Sequence, residues 1–335
     1  SDAYRTAGLL VLNVERVVRG QRAAVEHVVC ALLAGGHALL QDGPGTGKTT
    51  LARALARSLG VESRRIQATP DLLPADITGG NIYDPRTAEF HFRPGPVFAN
   101  VVLADEINRA PAKVQSALLE VMAERHVSIG GVTYAAPDPF LVLATQNPIE
   151  SEGVYPLPEA QRDRFLMKVP VHYPTDREEA EIARRMSVDP PVARAVLDAD
   201  RLISLQSAAA HVFVHDAVLD YVVRLVAATR RPAEHGLPEL AGVIAHGGSP
   251  RATLGLMAAG RALALMRDRT YALPQDIYDV ARDVLRHRVL LSYEALADGY
   301  DADSVVERIV TTVVAPRVAP SQDGVAFEGQ VGSAA

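Results

Sequence analysis

The chain has 335 residues, 48% of them hydrophobic and 22% charged, with a formal net charge of −6. That length holds one large domain or two of ordinary size, and the composition is that of a globular protein. The acidic balance gives no overall basic footprint for nucleic acid. The single cysteine, Cys30, excludes an intrachain disulfide or a cysteine-built zinc site and suits a reducing, cytoplasmic setting. The longest apolar run, Val28 to Leu40, is broken by Gly35-Gly36-His37, so no membrane insertion is expected, and no secretory leader is visible.

The first strong element is a strand at His37–Leu40. It runs into Gly43-Pro44-Gly45-Thr46-Gly47-Lys48-Thr49-Thr50 and then into Leu51–Gly60, which has helical spacing and a glycine stop. Strand, glycine-rich loop and helix in that order form a phosphate-binding loop: backbone N–H groups and the positive end of the helix point at a phosphate. Lys48 would reach the β- and γ-phosphates, and the Thr49 hydroxyl would ligate Mg²⁺. One departure is visible, because Asp42 stands where the usual pattern begins with glycine.

Further strands are expected at Ser63–Ala68, Val101–Ala104, Phe140–Thr145 and Phe165–Val169. Val101-Val102-Leu103-Ala104 and Phe140-Leu141-Val142-Leu143-Ala144 are continuously apolar, as parallel strands covered on both faces should be. Together with the first strand they predict a five-stranded parallel sheet with crossover helices over residues 1–175. Two hairpins interrupt it. One, at about 78–95, turns at Asp84-Pro85-Arg86-Thr87; the other, at about 125–136, turns at Gly130-Gly131. Either is a plain surface hairpin or the lining of a pore or contact surface.

Residues 176–316 read as helices throughout, with periodic stretches at Asp216–Arg231, Arg251–Arg267 and Pro274–Leu291. Residues 317–335 turn to Gly, Pro, Ser and Ala without period, and a flexible tail is expected.

A phosphate loop alone leaves the reaction open. Three further features narrow it. Val101–Ala104 ends in Asp105-Glu106: the first acid can hold Mg²⁺ through its water shell, and the second can orient and deprotonate an attacking water. Leu143-Ala144-Thr145-Gln146-Asn147 is another apolar strand ending in polar residues, and it would bring Asn147 to the same sheet edge, facing the γ-phosphate or the water. Arg162 and Arg164 end a short helix, and Ser249-Pro250-Arg251 starts another. Arginine stabilises phosphoryl-transfer charge and can be supplied by a neighbouring subunit, although most arginines form surface ion pairs.

These residues carry a resemblance. Leu103-Ala104-Asp105-Glu106-Ile107-Asn108-Arg109-Ala110-Pro111, Gln115–Glu120, Ala144-Thr145-Gln146-Asn147-Pro148, Tyr155–Gln161, Asp163-Arg164-Phe165, Ser249-Pro250-Arg251-Ala252 and Asp283–Arg288 together resemble the MoxR group of AAA+ ATPases, over about Val17 to Pro316. The departure at Asp42 fits that group. The resemblance implies an α/β AAA+ P-loop core followed by an all-α lid. It makes Gly43, Pro44, Gly45, Thr46, Gly47, Lys48, Thr49 and Thr50 the Walker A loop, and Asp105 and Glu106 the Walker B acids. It makes Asn147 sensor 1, Arg251 a sensor 2 acting from the lid, and Arg164 a finger reaching the next subunit, in preference to Arg162. Val18, Gly20 and Gln21 resemble the segment against adenine, and the two hairpins match pore-facing inserts. The resemblance further implies ATP and Mg²⁺ at the subunit boundaries of a homo-hexameric ring. Its work would be chaperone-like remodelling of proteins with a von Willebrand factor A domain.

Two other readings stand beside this one. A DNA-dependent AAA+ motor of helicase type shares the hairpin inserts, but the acidic charge and the lack of a basic, aromatic-studded stripe speak against nucleic acid. A nucleotide-gated scaffold would need neither Glu106 nor Arg164. His211 and His215 have the spacing of a helical zinc pair, but without a third ligand nearby they read as surface or cap histidines.

Overall fold

A computed structural model describes residues 2–41, 45–147, 154–187 and 191–317, except the side chain of Met186. Asp42, Gly43, Pro44, Pro148 and the tail beyond Arg317 lie outside the described residues.

Two helices precede the first strand, α1 (Asp2–Glu15) and α2 (Arg22–Leu33). Then follow β1 (Ala38–Gln41), α3 (Lys48–Ser58), β2 (Ser63–Gln67), the short α4 (Pro74–Thr78), and the hairpin β3 (Gly79–Asp84) with β4 (Glu89–Pro94). After β5 (Val101–Asp105) come α5 (Ala112–Glu124), the hairpin β6 (His126–Ile129) with β7 (Val132–Ala135), β8 (Leu141–Gln146), α6 (Glu159–Arg162) and β9 (Met167–Pro170). The five expected strands form one parallel sheet in the order β2-β5-β8-β1-β9, with Gln41 beside Gln146 and Gln67 beside Asp105.

Alternation within the central strands divides their side chains between two cores. Leu40, Val101, Leu103, Leu141 and Leu143 face the side covered by α2 and α3, on which α1 packs in turn. Leu39, Val102, Ala104, Val142 and Ala144 face the stripe Val114, Leu118, Val121 and Met122 of α5. Burial of each such large side chain contributes about 1.5–3 kcal/mol, which is why the apolar runs can only be central strands. The edge strand β2 exposes Ser63, Arg64, Arg65 and Gln67 and buries only Ile66. The two hairpins pack on each other through a stack of Phe92 on Tyr134, centroids 4.0 Å apart.

The remaining chain forms α7 (Asp176–Met186), α8 (Ala199–Ala210), α9 (Asp216–Arg230), β10 (Ile244–His246), α10 (Pro250–Met266), α11 (Pro274–Leu285), β11 (Leu290–Leu291), α12 (Tyr293–Ala297) and α13 (Ala302–Thr312). Helix α7 starts at a capping box, the Thr175 amide donating to Glu178 Oε2 at 2.9 Å. On α9, within the periodic stretch expected at Asp216–Arg231, the stripe Val218, Tyr221, Val222, Leu225 and Val226 is wholly buried.

Two expectations are corrected in this region. It is not helical throughout, because β10 and β11 pair antiparallel, with Ile244 beside Leu291. The helix expected over Pro274–Leu291 stops at Leu285. Beyond that point the Arg288 guanidinium bonds the carbonyls of Phe165 and Leu166, and β11 begins at Leu290.

Candidate nucleotide site and the arginines at the opposite edge

In a parallel sheet all strands end on one edge. Here Gln41, Gln67, Asp105 and Gln146 mark that C-terminal edge. Beyond β1 the glycine-rich segment enters α3 at Lys48, with Gly45 at φ 79° and Gly47 at φ 89°. Only glycine holds such φ values without strain, and a Cβ at either position would meet nothing within 4 Å. The requirement for glycine is therefore conformational and not one of space. Thr46 is buried, while Lys48, Thr49 and Thr50 are half-buried. Gly43 and Pro44 fall outside the described residues.

Val18, Gly20 and Gln21 reach the same edge between α1 and α2. The Val171 amide bonds to the Gln41 carbonyl at 3.0 Å, and the Gln21 side-chain amide donates to the next carbonyl along, that of His172. Gly20, at φ 72°, lets the backbone pass against Glu178, whose carboxylate lies 2.7 Å from where a Cβ would be.

Asp105 is 3% exposed and takes three hydrogen bonds. Thr49 Oγ1 donates to its Oδ1 at 2.9 Å, Thr145 Oγ1 donates to the same oxygen at 3.2 Å, and Arg65 Nε donates to Oδ2 at 2.6 Å. Glu106 follows with its backbone in the left-handed region, at φ 54°. A non-glycine residue pays strain there, of order 1 kcal/mol, and such outliers gather at functional sites. The conformation is held by the Glu106 amide bonding to Thr145 Oγ1 at 2.8 Å, and by the 3₁₀ turn Ile107–Arg109 that follows. The Glu106 carboxylate is approached by Arg109 Nη1 at 3.1 Å and by Gln67 Nε2 at 3.4 Å.

Asn147 directly follows β8 and is 5% exposed. Its carbonyl accepts from Asn108 Nδ2 at 3.0 Å, while the Asn108 carbonyl accepts from the Tyr155 amide at 2.6 Å. Gln115, fully buried on α5, donates to the carbonyls of Ile107, Ala110 and Tyr155. The turn after Glu106, the end of β8 and the approach to α6 are thus tied into one unit.

Arg164 and Arg251 do not join this group. Leu166, just before β9, donates its amide to the carbonyl of His37, just before β1, so Arg164 lies at the N-terminal edge of the sheet. Its Nη1 donates to the Leu119 carbonyl at 2.8 Å. Arg251, Arg164, Arg125 and Arg288 line a cavity of about 430 Å³ there. The four residues of β1, at about 3.3 Å each, put this edge roughly 13 Å from the C-terminal edge of the sheet.

Asp163 organises the cavity. The Ser249 hydroxyl that caps α10 donates to Asp163 Oδ2 at 2.9 Å and accepts the Arg251 amide at 3.1 Å. Arg251 Nη1 lies 3.8 Å from the same carboxylate. Arg288 donates through Nε to Asp163 Oδ1 at 2.7 Å, and its other nitrogens go to the carbonyls of Asp163, Phe165 and Leu166. Burial pulls the Arg288 pKa down from its ordinary value and the Asp163 charge opposes that. Two histidines seal the edge in neutral form. His37 Nδ1 accepts the Val142 amide at 2.9 Å, and burial with the nearby Arg125 charge takes its pKa down to about 3. Burial likewise holds His287 well below its ordinary range, with Nε2 2.9 Å from the Phe165 carbonyl. Arg162 lines a different cavity, with Glu159, His246, Leu291 and Tyr293.

His211 and His215 form no ligand set: His211 Nδ1 bonds its own helix at the Ser207 carbonyl, and His215 caps α9 by accepting the Ala217 amide. Burial raises the Cys30 thiol above its usual pKa, and the thiol bonds the Ala259 carbonyl, so it is inert.

Arg65 and Gln67 carry no signal of a role in the sequence; Asn108, Gln115, Thr145, Asp163 and Arg288 lie in the stretches that carry the family resemblance, but their contacts are not readable there. Arg109, three residues after Glu106, has a readable spacing for an ion pair. Arg65 and Gln67 look like the solvent face of an edge strand, and nothing local joins Arg288 to Asp163, 125 residues away.

Residues 37–167 match the family described as "ATPase family associated with various cellular activities (AAA)", and residues 241–309 match the AAA lid domain. The chain is 55% identical to Chaperone MoxR1 of Mycobacterium tuberculosis over 308 residues, 92% of this chain and 82% of that protein. It is 34% identical to Protein MoxR of Methylorubrum extorquens, covering 91% of this chain and 93% of that one. A crystal structure of a protein from Cytophaga hutchinsonii superposes with a TM-score of 0.87 at 41% identity, covering 94% and 96% of the two chains.

Proposed function

This chain belongs to the MoxR family of chaperone-like AAA+ ATPases and is an ATP-hydrolysing P-loop enzyme, and on that premise we propose that its active site is shared between two copies of the chain in a hexameric ring. One copy supplies the C-terminal sheet edge and its neighbour supplies the arginines of the N-terminal edge. The observation that carries this reading is the distance between the two edges: Arg164 and Arg251 share one cavity, roughly a strand's length from the Lys48 of their own chain.

On the binding side, the backbone from Gly45 to Lys48 and the start of α3 hold the phosphates, with Lys48 on the outer ones. Val18, Gly20 and Gln21 would lie against adenine, the Gln21 side chain being anchored on the His172 carbonyl. Thr49 Oγ1 and Asp105 Oδ1, 2.9 Å apart, are hard oxygen donors that fit magnesium, Asp105 acting through water. Bound there, the ion neutralises phosphate charge. Glu106, reached by Gln67 and Arg109, orients the attacking water and takes its proton, and Asn147 hydrogen-bonds the γ-phosphate or that water. Arg164, with Arg251 beside it, stabilises charge on the nucleotide of the adjacent copy. Arg162 is set apart from that role because it faces the other cavity.

We assign the work of hydrolysis to remodelling or maturation of partner proteins, as the chaperone relative supports. Proteins with a von Willebrand factor A domain are the clients that the family resemblance implies, in the cytoplasm. Among the described residues no helix is long and apolar enough to cross a membrane.

Mixing tests the shared site. Arg164→Ala and Glu106→Gln chains, each inactive alone, should recover part of the ATPase rate when combined, because some interfaces then carry both intact halves. Absence of recovery at every ratio overturns action between copies.

A further inference from the structure

We propose that Arg65 is an internal counter-ion for Asp105 that competes with a divalent cation for this carboxylate, and so sets how much magnesium the protein needs to load nucleotide. This inference rests on the assignment of Asp105 as the metal-side acid.

Asp105 is a buried carboxylate, its side chain 4% exposed, and a buried charge is tolerated only when paired and hydrogen-bonded. Thr49 and Thr145 satisfy one of its oxygens, and both are neutral. Arg65 supplies an ion pair to the other, with Nε 2.6 Å from Oδ2. The guanidinium therefore occupies the electrostatic position that a cation beside Thr49 would also claim. A second positive charge on the same carboxylate repels the first in a weakly screened setting, so each cation weakens the hold of the other.

The two ends of this ion pair are unequal. Asp105 is fixed inside the sheet, whereas Arg65 is 42% exposed on the edge strand β2. Arg65 can swing into water without opening the core, and long arginine stems do this readily. Its Nη2 keeps a 2.6 Å bond to Gln67 Oε1, two residues along the same strand face, which holds the guanidinium near while Asp105 is free. Such a device keeps the nucleotide-free site charge-balanced and makes loading depend on the cation arriving with the phosphates.

Binding of a fluorescent ATP analogue (mant-ATP) to the full chain, titrated with magnesium chloride, tests this. In Arg65→Met the half-saturating magnesium concentration should fall roughly three- to tenfold, the range expected when a partly exposed charge-assisted bond no longer competes. Arg65→Lys should fall between Met and wild type. The nucleotide-free Arg65→Met protein should melt below wild type, whereas the magnesium- and nucleotide-loaded proteins should melt together. A purely structural role would lower both. An unchanged or increased magnesium requirement in Arg65→Met overturns the inference, and if that variant does not fold, the same criterion is applied to Arg65→Lys. Asp105→Asn separates the two levels: it should lose the magnesium dependence of binding. Wild-type dependence in Asp105→Asn would overturn the site assignment itself, whereas its loss beside wild-type behaviour of Arg65→Met overturns only the counter-ion role.

Discussion

Arg288 is bound through Nε to Asp163 Oδ1 at 2.7 Å, and this pair joins the helical half of the molecule to the residue just before Arg164. Because the Ser249 cap of α10 sits on the other oxygen of the same carboxylate, Arg164 and Arg251 are held as one unit by a single acid. Both arginines would then meet a neighbouring nucleotide together, and displacement of one would be felt by the other.

The stability of the junction follows from burial. The Arg288 side chain is 3% exposed, and removing one partner of a buried, hydrogen-bonded ion pair costs about 3–5 kcal/mol. Arg288→Met should therefore lower the melting temperature by roughly 5 °C or more. Nucleotide binding at the distant C-terminal edge should survive below that temperature. Calorimetry with a nucleotide-binding assay checks both, and an unchanged melting temperature would show that the pair is not structural.

Lys48→Ala should weaken ATP binding by roughly 100-fold, since it removes a charged hydrogen bond to phosphate oxygens. The fold should be unaffected, because Lys48 is the first residue of α3 and is only half-buried. Equilibrium binding reads this directly. Full affinity in the variant would remove the phosphate-binding assignment of the loop.

Glu106→Gln should bind ATP normally and hydrolyse it about 10²–10⁴ times more slowly, the usual contribution of a positioned general base. Single-turnover measurement separates the two effects. Normal turnover would transfer the base role to another group.

Acid should destabilise the protein through His37. Its folded pKa, down to about 3, lies below the ordinary value of 6.5, so below pH 6.5 the unfolded chain takes up a proton that the folded one refuses. This contribution is present above pH 6.5 and is lost as pH falls toward 3. Between pH 7 and pH 5 it amounts to about 2 kcal/mol. His287 acts in the same direction. His37→Gln, which can keep the bonds to Val142 and Met122, should flatten the slope of stability against pH in urea titrations by that amount. An unaltered slope would show that His37 is not the titrating group.

The ATPase rate should not respond to DNA, given the net charge of −6. Strong stimulation by DNA at physiological salt would favour the helicase-type alternative.

The glycine-rich turn into α3, the Asp105-Glu106 end of an apolar strand and the position of Asn147 after another are legible in the order of the amino acids alone. Each is a contiguous stretch in which strand period, glycine and polar terminus follow from covalent spacing, and parallel strands necessarily deliver their C-terminal residues to one edge. The central strands β5 and β8 are legible because continuous apolar runs have few other places to go, whereas β2 buries only Ile66 and is marked mainly by its place between α3 and the next apolar run. The sides on which Arg164 and Arg251 lie are not. That depends on how α10 and α11 pack behind the sheet, through contacts such as Arg288 with Asp163, 125 residues apart. Arg65 and Asp105, 40 residues apart, likewise meet only through strand register. Local propensity fixes what a segment is and which residue ends it. Which distant charge comes to rest against that residue is settled when the apolar faces are buried together, and no spacing in the chain encodes it.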